Sequence, residues 1–138
     1  MSRVNDAVQL FENGHLCSQA VVEVFSEELG LSKEDAFKIG ACFGSGMRRG
    51  EVCGACTGAL MAIGLKYGES KATCDELSNK FFEGFKKENG HYICRDLLGC
   101  DISTPEGVEY ARDNNLFKEI CPKMVASAVE IMEDILKE

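Results

Sequence analysis

Cysteine stands at four of the places where this chain starts a helix: Cys17, Cys53, Cys94 and Cys121. The four are far apart in sequence, so no local finger or ferredoxin spacing joins them, and only the fold can gather them. A helix start carries partial positive charge and unpaired N–H groups. A thiol placed there is expected to ionise more easily, and the thiolate is the form that attacks disulfides and binds metals. The pattern therefore predicts a small helical protein that presents thiolates.

Helical periodicity runs through almost the whole chain. Val4, Ala7, Val8 and Phe11 share one face of a first helix that Gly14 stops. Cys17–Leu29 follows, with Ala20, Val21, Val24, Phe25 and Leu29 on one face and Gly30 as C-cap. Ser32 to Asp35 reads as a capping box opening a helix that runs to about Cys42. The one glycine-rich loop is Gly44-Ser45-Gly46-Met47-Arg48-Arg49-Gly50. It leads into an apolar helix from Cys53 to Tyr67, whose small residues (Ala55, Gly58, Ala59, Ala62, Gly64) let another helix approach closely. A longer amphipathic helix spans Ser70–Glu88, with Leu77, Phe81, Phe82 and Phe85 apolar. Cys94 to Gly99 is a short helical turn, Thr104-Pro105 caps a further helix to about Arg112, and Cys121-Pro122 opens the last, to Leu136. No strand, repeat or linker is evident. The expected fold is all-α, one domain over 1–138, a bundle of about five to seven helices.

Eight cysteines among 138 residues is dense. The N-terminal segment lacks the apolar core of a secretory signal, which points to a cytoplasmic location. In a reducing compartment such density favours metal binding or redox chemistry over a disulfide framework. A formal net charge of −8 argues against nucleic acid as a partner. No apolar run approaches the roughly 20 residues that a membrane span needs.

Cys53 and Cys56 form a C-x-x-C pair at a helix start, where one thiol can be activated and the pair can cycle with a disulfide. They are the candidate catalytic residues, although the βαβ context of thioredoxin-like proteins is missing. The same two thiols could instead be metal ligands, or Cys56 a small core residue. Arg48 and Arg49 just upstream could stabilise a thiolate or an anionic cluster, or be solvated surface charges. The loop Gly44–Gly50 could form an anion nest. Cys42 and Cys74 read as buried structural thiols. Cys100 is a second-tier partner for Cys94. His15 and His91, shortly before Cys17 and Cys94, would suit a mixed Cys/His metal site or lie on the surface.

Cys53-Gly54-Ala55-Cys56-Thr57-Gly58 matches C-G-A-x-x-G. With Cys17 before it, and Cys94-Arg95-Asp96-Leu97-Leu98-Gly99 and Cys121-Pro122 after it, the chain resembles the redox-active protein family named C_GCAxxG_C_C. The resemblance runs from about Cys17 to Leu136. It implies a small redox protein whose signature cysteines are Cys17, Cys53, Cys94 and Cys121. Members accompany oxidoreductases and transporters, and a related domain is similar to part of split-Soret cytochrome c, for which an iron–sulfur centre has been proposed. No C-x-x-C-H sequence is present, so haem is not implied here. Cys56 occupies a variable position of the hexapeptide.

These readings converge on electron transfer or redox sensing through four gathered thiolates. In one form Cys17, Cys53, Cys94 and Cys121 hold an iron–sulfur cluster; in the other, pairs of them cycle between dithiol and disulfide. The alternatives are a structural zinc site on the same four sulfurs, or an accessory interaction module with the cysteines as caps and core. The expected partner is an oxidoreductase or electron-transfer protein, and a homodimer could shield the centre. Hydrolytic catalysis is not expected, because no nucleophile, base and orienting carboxylate are patterned together.

Overall fold

A computed structural model describes residues 3–137; Met1, Ser2 and Glu138, at the ends of the expected domain, lie outside the described residues. The expected all-α bundle is present. Its long helices are α1 (Arg3–Glu12), α2 (Cys17–Ser26), α3 (Lys33–Gly40), α4 (Gly54–Tyr67), α5 (Lys71–Asn89) and α9 (Cys121–Ile135). Between α5 and α9 lie α6 (Cys94–Leu98), α7 (Pro105–Asp113) and α8 (Leu116–Glu119). The short α6 and α8 bring the count to nine among the described residues, and the sequence periodicity did not reveal α8. A 3₁₀ turn, Glu27–Leu29, extends α2 to the Gly30 C-cap, whose φ is +90°.

The caps act where their chemistry predicts. Ser32 accepts the Asp35 N–H at 3.1 Å, Ser70 accepts that of Thr73 at 3.2 Å, and Thr104 accepts that of Gly107 at 3.0 Å. Pro105 occupies the first position of α7. Pro122 is the second residue of α9 rather than the first, because Cys121 already has helical geometry and Ile120 is the cap.

Helix α2 lies against α4, α1 and α3, while α9 packs on α1 and α5. Close approach of α2 and α4 depends on Gly58: a Cβ there would stand 2.6 Å from the Ser18 carbonyl oxygen. The packed interior is filled by Phe25, Ile63, Phe81, Phe85, Val125, Val129 and Met132, all essentially inaccessible. Among the described residues the only strand-like pairing is a single antiparallel bridge, Val52 with Ile93.

Candidate functional site: a cysteine-lined cavity

That one bridge builds much of the site. It sets Val52 and Ile93 side by side immediately before two helix starts. Cys53 N–H donates to Tyr92 C=O at 2.8 Å, and Cys94 N–H donates to Glu51 C=O at 2.6 Å. Two cysteines 41 positions apart in the chain are thereby held at one locus before either helix has turned once. Cys53 is the N-cap of α4, and Cys94 is the first residue of α6. Cys17, the first residue of α2, arrives through the α2–α4 contact. At Gly54 a Cβ would collide with Cys17 Sγ, so glycine next to Cys53 is what admits the Cys17 sulfur. Cys121 is delivered by α8 and α9; the turn into α8 is made by Asn115 in a left-handed conformation (φ +58°).

The glycine-rich loop closes the assembly. Glu51 N–H bonds to Gly46 C=O at 2.9 Å, and Ser45, Gly46, Met47, Arg48 and Gly50 all have positive φ, between +53° and +67°. Three of these are not glycine, a conformation that costs energy and is characteristic of functional sites. A Cβ at Gly46 would stand 3.0 Å from the Cys94 Cβ and 2.6 Å from the Glu51 nitrogen, so only glycine fits there. The product of this folding is that the backbone amides of Ser18 and Ser45 hydrogen-bond the Cys17 sulfur.

Cys17, Cys53, Cys94 and Cys121 all line one cavity of about 310 Å³, whose other walls include Phe11, Leu98, Ile102, Phe117 and Met124. Three of the four sulfurs belong to buried residues, and Cys121 is half-buried. Cys56 lies fully buried behind Cys53. Its thiol is hydrogen-bonded to that of Cys53, as is the thiol of Cys17. All eight cysteines are free thiols.

The site does not ionise as its helix starts alone suggest. The thiol–thiol hydrogen bond with Cys53, followed by burial, raises Cys17 well above the ordinary thiol range, against the two amides that favour its thiolate. Burial, with Cys53 the nearest neighbour, likewise drives Cys56 up. Burial and the neighbouring Cys17 and Cys53 sulfurs push Cys121 from 9.0 to about 12. Against expectation, Cys17 and Cys121 are therefore not eased toward the thiolate by their helix starts. Partial positive charge is present, but the thiol–thiol hydrogen bond with Cys53, burial and the neighbouring sulfurs outweigh it, so Cys17, Cys56 and Cys121 hold their protons.

The remaining candidates separate from this centre. Arg48 and Arg49 are exposed, and Arg48 donates to the Ala41 carbonyl at 3.1 Å rather than to a sulfur. Cys42 is exposed, not buried as expected, because α3 ends at Gly40 and leaves it in the following turn. Cys74 is half-buried and donates to Tyr67 C=O at 3.2 Å; the Cys100 thiol faces the Gly107 carbonyl at 3.7 Å. His91 is exposed, whereas His15 lines the cavity. Among the described residues no three His, Cys, Asp or Glu side chains are grouped as a single metal ion requires.

A family model matches residues 15–135, nearly the whole chain and all five gathered cysteines. The chain belongs to the C_GCAxxG_C_C family. The family's description is "Putative redox-active protein (C_GCAxxG_C_C)". No curated protein and no solved structure matches the chain. Membership in the C_GCAxxG_C_C family thus supplies redox activity as the general theme, and the cavity supplies the chemistry to be assigned. No helix among the described residues is long and apolar enough to cross a membrane.

Proposed function

We propose that this is an electron-transfer or redox-sensing protein whose centre is an iron–sulfur cluster held by Cys17, Cys53, Cys94 and Cys121. The observation that carries the reading is that four thiols from the starts of four helices line one largely apolar cavity. Four cysteine thiolates are the usual ligand set of such clusters. A water molecule takes about 30 Å³ of liquid, so a 310 Å³ space is far larger than one ion needs. A closed zinc site draws its four ligands to about 2.0–2.3 Å from a single point, and no three candidate ligands among the described residues are grouped that way. A cluster spreads its ligands over several metal atoms and suits sulfurs set around a cavity.

The bound group would supply one-electron chemistry. The chain's own part is to hold and tune it. Apolar walls keep water from the sulfurs, and the Ser18 and Ser45 amides already bonded to Cys17 Sγ favour its anionic form. The protons on Cys17 and Cys121 leave on loading, so loading is favoured by higher pH. The partner is an oxidoreductase or electron-transfer protein that meets the cavity end of the bundle.

A second reading has its own observation. Cys53 hydrogen-bonds both Cys17 and Cys56, so two of these thiols could close a disulfide, passing two electrons and two protons to an acceptor disulfide that becomes a dithiol.

Protein purified without oxygen, with its visible spectrum, iron, sulfide and zinc measured, decides between them. Charge-transfer bands that bleach on reduction, with matched iron and sulfide, support the cluster. Cys53→Ser should then lose the iron and Cys74→Ser retain it; equal iron in the two variants would defeat the assignment. Iron-free protein that forms one reversible disulfide supports the second reading, and stoichiometric zinc revives the structural one.

A further inference from the structure

Resting on the cluster reading for its consequence, we infer that Cys56 is the resolving thiol of a peroxide-sensitive switch: in cluster-free protein Cys53 and Cys56 close a disulfide that withholds Cys53 from the metal until it is reduced. The proposed cluster makes no use of Cys56. It is fully buried, and it does not share the cavity wall on which Cys17 and Cys53 stand. Its thiol is nonetheless hydrogen-bonded to that of Cys53. Cys53 is the N-cap of α4, with φ −54° and ψ 135°, so helical dihedrals do not fix it. Cys56 is one turn on, and its N–H bonds Cys53 C=O at 2.9 Å. Residues three apart on a helix have Cβ atoms about 5–6 Å apart, so a small rotation of the cap reaches the roughly 3.8 Å of a disulfide. The rival partner, Cys17, comes from a different helix, and the Ser18 and Ser45 amides hold its sulfur.

The cavity selects the oxidant. A space of about 310 Å³ with mostly apolar walls admits a small uncharged molecule such as hydrogen peroxide and disfavours a charged peptide disulfide. Cys53, at the wall, attacks one peroxide oxygen. The O–O bond breaks, leaving a sulfenic acid on Cys53 and releasing one water. The Cys56 sulfur then attacks the Cys53 sulfur, the S–O bond breaks, and the hydroxyl leaves as water with the Cys56 proton. Two thiols lose two electrons and the peroxide becomes two waters. A thiol behind the attacked sulfur thus intercepts the sulfenic acid before it reaches the irreversible sulfinic state.

The test uses the full chain, metal-free and reduced, then treated with hydrogen peroxide, wild type beside Cys56→Ala. Alanine suits the small-residue helix α4, and circular dichroism checks its fold. Peptide mass spectrometry of the wild type should find the Cys53–Cys56 disulfide, and ferrous iron with sulfide should load only after a dithiol reductant is added. In Cys56→Ala, Cys53 should go on to the sulfinic acid, and the reductant should not restore iron. A Cys17–Cys53 disulfide in the wild type would overturn the switch whether or not the variant folds. So would a disulfide-bonded protein that loads iron as well as the reduced one, or a Cys56→Ala protein whose iron returns in full. A mapped Cys53–Cys56 disulfide in protein that takes up no iron even when reduced would overturn the cluster reading and leave the thiol chemistry standing.

Discussion

The two ends of this bundle are built from similar side chains and behave oppositely. Where α4, α5 and α9 meet, Phe81 and Phe85 stack at 5.7 Å between centroids, and Ile63, Val125, Val129 and Met132 complete an interior with almost no accessible surface. At the other end Phe11, Leu98, Ile102, Phe117 and Met124 are just as apolar but stand around a cavity of about 310 Å³. The first end is made of regular helix. The second is made of helix starts, the four- and five-residue helices, one isolated bridge and a run of left-handed residues. Close packing is the normal state of a protein interior, so the stability of the fold resides at the filled end. Backbone hydrogen bonds and the close approach of α2 to α4 fix the shape of the open end.

The sharpest way to break this division is to damage the filled end and watch the other. Phe85→Ala should cost about 3–5 kcal/mol in urea unfolding, the usual toll of removing a buried phenylalanine. Iron bound per folded molecule should stay at the wild-type value. If iron fell in step with stability, the two ends would be one cooperative structure and the division would fail.

Gly58→Ala should show the opposite coupling at a smaller stability cost. The new Cβ would stand 2.6 Å from Ser18 C=O and 3.1 Å from the Val21 Cβ, so α2 must move off α4 at about 1–3 kcal/mol, as overpacking generally costs. Ser18 is the neighbour of Cys17, and its amide bonds the Cys17 sulfur. Iron should therefore be lost along with stability. An intact spectrum in this variant would mean that the cavity tolerates a shifted α2 and that the glycine serves packing only.

The two ends also differ in how far the sequence discloses them. The filled end was legible, because helical spacing of Leu77, Phe81 and Phe85 is a local signal that the structure retains; the caps Ser32 and Thr104, on helices elsewhere, were legible in the same way. The open end was legible only in part. That Cys17, Cys53, Cys94 and Cys121 would gather could be read from the helix starts and the family resemblance. The Val52–Ile93 bridge that does much of the gathering could not, since one pair of residues makes no strand pattern. Nor could α8, four residues long and begun by a left-handed Asn115. Thiol ionisation was misread because burial and sulfur–sulfur repulsion are tertiary quantities with no trace in local spacing. Cys42 was misplaced by only two residues of helix length.

The raised Cys121 thiol makes stability depend on pH. In reduced, metal-free protein the folded state keeps Cys121 protonated up to about pH 12, whereas the unfolded chain releases that proton near 9.0. The unfolded state thus binds fewer protons above about pH 9, and stability must fall as pH rises, by about 1.4 kcal/mol per pH unit for each such thiol. Urea midpoints followed by circular dichroism under reductant should be level up to about pH 8 and decline by about pH 10. Cys121→Ser should decline less steeply. A flat profile would mean that the thiols at the open end titrate as freely as in the unfolded chain.

The smallest expected effect separates the open end from the surface beside it. Cys42 is exposed and outside α3, so Cys42→Ser should change stability by no more than about 0.5 kcal/mol and leave iron and spectrum as they were. Its value lies in kinetics. Alkylation of a thiol depends on both access and thiolate fraction, and Cys42 is the exposed cysteine, whereas Cys17, Cys53, Cys56 and Cys94 are buried. Iodoacetamide on reduced, metal-free protein should give one fast adduct at Cys42 and slow addition at the cavity, as read by peptide mass spectrometry. In Cys42→Ser the fast phase should disappear. Rapid labelling of Cys17 or Cys53 instead would show the cavity opening on the timescale of the reaction, and its backbone frame would then be a mobile mouth rather than the fixed one drawn from the bridge, the glycine contacts and the left-handed loop.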